Sequence, residues 1–177
     1  MCSVNRKKRI EKRLSYLYSG ELFGFVSFIF VSYLFNYVYP SLQLYSLYSF
    51  WLSFILLECL LLQGIIYWYI KLNRLKTKHT SVTPIKLVRR LHQLKPINIF
   101  LIIFSIIAFI YDFLTWYPSF PLGGLRISFI IYLFAVLEYI NYFHIQLSYD
   151  NLSDIKYLVR SKKLKKSCMS KDFKRLL

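Results

Sequence analysis

The chain has 177 residues, 56% of them hydrophobic and 20% aromatic, with a formal net charge of +16 and a mean hydropathy of +0.42. A soluble domain of this size rarely combines so much apolar sequence with so many Lys and Arg. The two features are compatible when they occupy different stretches of the chain, and this sequence separates them.

Four apolar stretches follow one another along the chain, each with no more than two charged residues: 22–39, 44–70, 98–117 and 125–147. About 20 apolar residues are needed for a helix to cross a bilayer core of about 30 Å. Helices that are apolar on every side are typical of membrane spans rather than of soluble bundles. The sequence therefore predicts an all-α integral membrane protein with a four-helix transmembrane bundle. No cleavage pattern of a signal peptide follows the basic start, so the first span is expected to remain.

The Lys and Arg residues lie almost entirely outside these stretches. Six fall within residues 1–20, eight within 71–97 and nine after residue 147, whereas the two short Pro-containing connections hold none. Because positive charge is retained on the cytoplasmic side, both termini and the long middle loop are predicted to be cytosolic. The predicted organisation is a basic segment at 1–20, a four-span region at 21–147 that includes the basic loop, and a basic tail at 148–177.

The basic segments raise the question of which partner they meet. Nucleic acid is disfavoured, because the charges are split among three segments beside spans and no groove-reading motif is present. Basic clusters next to spans typically contact anionic lipid headgroups. The residues assigned to this lipid surface are Lys86, Arg89, Arg90, Lys162, Lys163, Lys165 and Lys166.

Parts of the cytosolic segments have the pattern of short amphipathic helices. "TPIKLVRRLHQLKP" begins with Thr83 as a helix cap and Pro84 in the first turn, and its apolar residues recur every third position. "SDIKYLVRSKKLKK" begins with Ser153 and carries a similar apolar stripe, and the N-terminal "RKKRIEKRLSYLY" resembles both. These segments are predicted to lie in the membrane interface.

The polar residues within the spans fall on restricted helix faces. The first span carries Glu21, Ser32 and Asn36, the third carries Asn98, Ser105 and Asp112 at intervals of seven, and the fourth carries Arg126, Glu138, Asn141, His144 and Ser148. At 100° per residue, each set occupies one side of its helix. Polar groups in a span are expected to face neighbouring helices rather than lipid, which predicts a polar seam inside the bundle.

Asp112 and Arg126 lie near the predicted outer ends of consecutive spans. The connection between them is short, and Gly123 and Gly124 are expected to permit a tight turn there. The sequence therefore predicts a structural Asp112–Arg126 ion pair.

Glu58 and Glu138 have no evident basic partner at their depth. A carboxylate isolated in hydrocarbon is expected to be neutral, because the charged form is costly there. Each could donate a structural hydrogen bond or, alternatively, exchange a proton during transport. Asn141 and His144 follow Glu138 towards the cytosol, and His144 could relay protons or cap the helix end.

No metal or cofactor site is predicted. Glu138 and His144 are six residues apart and do not point to one place on a helix, and His79 and His92 lie among positive charges that disfavour a cation. No nucleophile motif or phosphate-binding glycine loop is present. The three cysteines do not indicate a disulfide framework.

The C-terminal quarter contains the stretches "EYINYFHIQLSYD" and "KKLKKSCMSKDFKRLL". The residues that carry a resemblance here are Glu138, Tyr139, Asn141, Tyr142, His144, Lys163, Leu164, Lys166 and Asp172. They resemble the tail of small bacterial four-span membrane proteins with no settled activity. The resemblance implies a bacterial cell membrane and no catalytic role.

Two functions are compatible with these patterns. The favoured one is a non-catalytic accessory or interaction protein of the cell membrane, which binds a membrane-protein partner or a second copy of itself. The alternative is a small oligomeric proton-coupled transporter or channel, in which Glu58 or Glu138 is the coupling carboxylate.

Overall fold

A computed structural model describes residues 2–80, 82–147, 160 and 164–176, with side chains from residue 7 onward. The described part is helical apart from its connections and one isolated backbone bridge. Its helices are α1 (Cys2–Val38), α2 (Tyr48–Lys78), α3 (Ile85–Thr115), α4 (Leu122–Phe143) and the short α5 (Cys168–Phe173). Two single-turn 3-10 segments, Pro40–Leu42 and Leu44–Ser46, join α1 to α2.

The four long helices are each long and apolar enough to cross a membrane. This finding confirms the predicted all-α architecture and the four apolar helices. α1 and α3 run in one direction and α2 and α4 in the other if each crosses once, so two ends of the bundle can be distinguished. We call the end at which α1 begins, α2 ends, α3 begins and α4 ends the basic end, because most Lys and Arg residues are there.

The helices extend well beyond the apolar stretches. α1 includes the N-terminal basic segment and α2 continues to Lys78. Lys, Arg and Leu are good helix formers, so a change from apolar to charged sequence does not end a helix. For the same reason the predicted interfacial helix after Pro84 is not a separate element: it is the first part of α3, which continues through Pro96. The predicted helix at residues 153–166 lies largely outside the described residues.

α2 is the central helix of the bundle. Its main neighbours are α1, α3 and α4, whereas α3 and α4 contact each other much less. Half of the most apolar window of α2 is buried inside the protein, compared with none of the corresponding window of α1. The fold is therefore three helices arranged around α2 rather than four equivalent helices.

Two apolar clusters hold the helices together. The larger one is nearer the basic end and includes Leu60, Tyr67, Trp68, Tyr139 and Phe143, together with Met169 of α5. The smaller one, at the opposite end, is formed by Leu44, Leu47 and Phe50. Burial of apolar side chains between helices fixes which faces of α2 meet which neighbour.

The first turn of α4 packs tightly against the α1–α2 connection. A Cβ atom placed on Gly124 would collide with the Leu42 carbonyl oxygen and lie 2.9 Å from Leu47 Cδ1. No glycine has a positive φ. Gly124 is therefore required for close approach of two backbones, and the prediction that it serves a tight turn is corrected.

The tail returns to the basic end and packs beside the end of α4. Gln146 N donates to Lys165 O at 2.8 Å, and Ser167 N donates to His144 O at 3.3 Å. Ser167 then caps α5, since its side-chain oxygen accepts from Ser170 N at 3.0 Å. These contacts bring α5 against the larger apolar cluster.

Candidate functional site

The polar residues of α3 face α2. Asn98, Ser105 and Asp112 have exposed fractions of 1%, 0% and 1%. Asn98 and Gln63 of α2 pair reciprocally, with each side-chain amide donating to the other at 3.0 Å. Ser105 donates to Leu101 O in its own helix at 2.9 Å. The interval of seven residues thus corresponds to a buried polar face.

Asp112 caps the N-terminus of α2. Its two carboxylate oxygens accept hydrogen bonds from Tyr48 N at 3.1 Å and from Ser49 N at 2.7 Å. These backbone N–H groups have no partner within α2, and the positive end of the helix dipole favours a carboxylate there. Arg126 is exposed, and no ion pair joins it to Asp112 in the described part of the chain. Among the described residues, Asp112 therefore caps α2 and does not form the predicted pair with Arg126.

Glu58 lies in α2 away from both ends. Its two carboxylate oxygens are buried and make no hydrogen bond with any residue that the structure describes. Burial of a charged carboxylate without a partner is costly. Among the residues that the structure describes, this carboxyl group therefore has no hydrogen bond that a substitution would break.

The side chains of Glu138 and Asn141 contact each other, but the His144 side chain does not continue this row of polar groups. Asn141 Nδ2 donates to Glu138 Oε2 at 3.2 Å, and Asn141 Oδ1 accepts from Leu147 N at 2.9 Å. His144 follows the last residue of α4 and is exposed. Its backbone carbonyl accepts a hydrogen bond from Ser167 N in the tail. The structure therefore places Asn141 between Glu138 and the chain that leaves α4.

A second carboxylate, Glu21 of α1, lies close to Glu138. Their charges are near enough to interact, and Trp68 Nε1 and the Tyr142 hydroxyl lie beside Glu21. Neither the Trp68 nor the Tyr142 donor meets hydrogen-bond geometry with a described residue. This cluster was not predicted as a site, because Trp and Tyr near the ends of spans have the pattern of interfacial anchors.

The Glu21 cluster forms one end of a cavity that we call the basal pocket. The cavity has a volume of about 270 Å³ and lies among α1, α2, the end of α4 and the tail. Leu14, Leu17 and Met169 form part of its apolar wall, and Glu21 and Tyr142 lie on its membrane side. Its volume is close to the lower limit of small-molecule sites.

Asp172 of α5 is the centre of another polar cluster that the sequence did not indicate. Its Oδ2 accepts from Tyr67 Oη at 2.7 Å and Thr83 Oγ1 at 2.6 Å, with Lys71 Nζ at 3.5 Å. Burial alone would raise the pKa of Asp172, but the hydrogen bonds from Thr83 and Tyr67 and the charge of Lys71 outweigh it and hold this pKa below its usual value of 3.8. The ionised carboxylate thereby fastens α5 to α2 and to the α2–α3 connection.

The predicted lipid-surface residues fall into three groups. Lys86, Arg89 and Arg90 are exposed at the start of α3, and Lys166 is exposed in the tail. Lys165 instead lines the basal pocket. Lys162 and Lys163 lie outside the described residues.

Within residues 2–80, 82–147, 160 and 164–176, no three His, Cys, Asp or Glu side chains are grouped so that they could hold a metal ion. The fold and these sites define a class, a helical protein with four candidate membrane spans and a pocket at its basic end. No protein family, curated protein or solved structure has significant similarity to the chain.

Proposed function

We propose that the protein is a non-catalytic accessory protein of the cell membrane, with its basic end and both termini in the cytosol. Four apolar helices support the membrane assignment. The orientation is supported by the concentration of Lys and Arg at one end, which is the arrangement of cytosolic segments. In this orientation Lys86, Arg89 and Arg90 face anionic lipid headgroups.

The observation that carries the accessory role is the outer face of α1. α1 has one main helical neighbour, α2. On its other side Phe23, Phe30, Tyr33 and Tyr37 are between 62% and 75% exposed. At 100° per residue these four aromatic side chains lie within one quarter of the helix circumference. A continuous aromatic face of this kind provides large side chains for packing against a helix of a membrane partner, which is either another protein or a second copy of this chain.

Site-specific photo-crosslinking in cells tests this proposal. A photoreactive phenylalanine is placed at Phe30 of α1 and, as a matched control, at Phe100 of α3, which is also exposed. Phe30 is expected to give a discrete protein adduct, identified by mass spectrometry, whereas Phe100 gives mainly lipid adducts. Lipid adducts alone at both positions would contradict the accessory role.

The second candidate, a proton-coupled transporter or channel, is supported by Glu58. Its buried carboxylate oxygens lack a described partner, so replacement by Gln removes the proton-exchanging group without breaking a hydrogen bond. Reconstituted wild-type protein would then move protons across vesicles, measured with an internal pH dye, and Glu58→Gln would abolish that flux at unchanged stability. Glu138→Gln provides the comparison, because Glu138 does have a partner in Asn141. Equal flux in wild type, both variants and empty vesicles would exclude the transporter.

A further inference from the structure

Exposed aromatic side chains recur on α1 at intervals of seven residues. Their exposed fractions lie between 63% and 75%, and the residues are Tyr16, Phe23, Phe30 and Tyr37. Three further exposed residues each lie three positions after one of these: Ser19, Val26 and Tyr33. Together the two sets have the alternating spacing of three and four residues that is typical of a coiled-coil contact face. We call these seven residues the α1 seam.

The α1 seam is long enough to run through the whole bilayer. Residues 16–37 extend about 32 Å along the helix axis, which is close to the hydrocarbon thickness of about 30 Å. A seven-residue repeat is slightly shorter than two helical turns, so the seam drifts by about 20° per repeat and a facing helix follows it with a left-handed crossing. The regular interval therefore indicates a helix as the facing element.

The outer face of α3 does not repeat in this way. α3 is also long and has exposed side chains, but the residues at intervals of seven from Phe100 are Ile107 and Leu114. Contact with lipid requires apolar side chains and sets no interval at which large ones must recur. An aromatic residue in four successive repeats is thus a property of α1 that contact with lipid does not explain.

The symmetry of the α1 seam favours a second copy of this chain as the facing helix. Two copies inserted in the same orientation are related by a two-fold axis along the bilayer normal, so their α1 helices run parallel. Each residue of the seam then faces its counterpart, which pairs Phe23 with Phe23 and Phe30 with Phe30. No residue of the seam is charged, whereas Arg9 and Lys12 continue the same side of α1 towards its start. Their mutual repulsion would limit the contact to residues 16–37.

The available area is sufficient for a stable dimer. A fully buried aromatic side chain contributes about 150 to 250 Å², so the five aromatic residues of the seam, each about two-thirds exposed, offer about 500 to 800 Å² per copy. A standard interface buries about 800 Å² per partner. From this match and the heptad interval we infer that two copies of the chain associate through the α1 seam as a parallel, left-handed helix pair. The inference rests on the proposed function, because it names the partner that the outer face of α1 binds.

Disulfide crosslinking in membranes tests the geometry of this pair. In a full chain whose own three cysteines are replaced by Ala, single cysteines are placed at Phe23, Val26 or Phe30 of the seam. Matched controls are Ile29 and Val31, which are exposed, lie at the depth of Phe30 and point about 100° to either side of it. The three seam positions should form crosslinked dimers on oxidation, and the two controls should form few.

The affinity of the pair is measured by energy transfer between donor-labelled and acceptor-labelled copies in phosphatidylcholine vesicles, at increasing protein-to-lipid ratio. The double variant Phe23→Ala, Phe30→Ala removes two aromatic pairs and should weaken dimerisation about tenfold. The matched control is Phe100→Ala, Phe104→Ala, which removes two exposed Phe side chains from α3 and should leave dimerisation unchanged. Circular dichroism checks that both variants remain folded.

Crosslinks that peak at the seam positions, together with weaker dimerisation in the α1 variant alone, support the inference. Equal crosslinking at Phe30, Ile29 and Val31 would overturn it, because such contacts would be random collisions. Equal weakening by both double variants, or no dimer at any protein-to-lipid ratio, would overturn it as well.

The photo-crosslinking experiment at Phe30 separates this inference from the proposed function. An adduct with a different protein, without a dimer of this chain, would leave the accessory role standing and overturn the self-association. Lipid adducts alone, again without a dimer, would contradict both.

Discussion

Gln63 and Asn98 form a reciprocal pair of side-chain amides between α2 and α3, with both N···O distances at 3.0 Å. Both side chains are buried. A buried amide that loses its partner pays the cost of desolvation without compensation, whereas removal of both amides leaves apolar surfaces that can pack. We therefore expect the contributions of Gln63 and Asn98 to the free energy of unfolding to be coupled.

Gln63→Leu and Asn98→Leu should each destabilise the protein, and the double variant should recover part of the loss. The expected coupling is about 1 kcal/mol, the usual range for interhelical hydrogen bonds in membranes. Thermal unfolding in detergent of the wild type, the two single variants and the double variant measures it in a double-mutant cycle. Additive effects of the two single changes would show that the amides do not stabilise each other.

Asp112→Asn should lower the free energy of unfolding by about 1 to 2 kcal/mol, since it weakens the cap on the N-terminus of α2. Arg126→Gln is the control and should have little effect, because Arg126 is exposed. The two changes should be additive in a double-mutant cycle. Significant coupling between them would instead support the ion pair that the sequence predicts.

Gly124→Ala should destabilise the protein by about 1 to 3 kcal/mol, the range for overpacking a filled site. The added methyl group would meet the backbone oxygen of Leu42, which cannot move without displacing the α1–α2 connection. Gly20→Ala is the matched control, because nothing lies within 4 Å of the position of its Cβ. That control should be neutral or slightly stabilising in the helix. A similar melting temperature for the two variants would contradict the close approach at Gly124.

Asp172→Asn should release α5 from α2 while leaving the long helices folded. The expected readout is faster hydrogen exchange and proteolysis confined to residues 164–176. Glu11→Gln is the control: Glu11 pairs with Lys76 at 3.9 Å on the exposed surface, where such pairs contribute little. Unchanged exchange in the Asp172 variant would exclude the proposed attachment.

The attachment of α5 should also depend on pH. The pKa of Asp172 is lowered in the folded protein, so the unfolded state binds the proton more readily than the folded state does. The stabilisation is then fully present above the unfolded value of about 3.8 and is lost as the pH falls through the still lower folded value. Hydrogen exchange of α5 should be constant from pH 7 to pH 5, after correction for the intrinsic rate, and should rise below pH 4.

The long helices were predictable from the sequence because apolar runs of span length have few other structures. The buried face of α3 was predictable as well, since Asn98, Ser105 and Asp112 recur at a helical interval. Their partners were not. Asp112 accepts from backbone N–H groups, which every residue other than proline carries, so no sequence pattern reveals which donors it meets. Spacing along one helix likewise gives no information on which groups of another helix lie opposite.

The tail illustrates a second limit of sequence reasoning. Its net positive charge predicted contact with anionic lipid headgroups. This contact remains a proposal, and it applies to exposed residues such as Lys166. Asp172 holds α5 in place, because its carboxylate meets three donors from distant parts of the chain. The net charge of a segment does not reveal the effect of one such residue, whereas a specific polar cluster depends on it. The Glu21 cluster was missed for a related reason, since it joins α1, α2 and α4.

The central position of α2 means that the other helices stay joined when one outer helix is lost. α1 has one main helical contact, whereas α2, α3 and α4 remain joined through α2 if α1 departs. Departure of α1 would therefore leave a three-helix remnant joined through α2. This arrangement would let one outer helix exchange neighbours in the bilayer without melting the rest of the molecule.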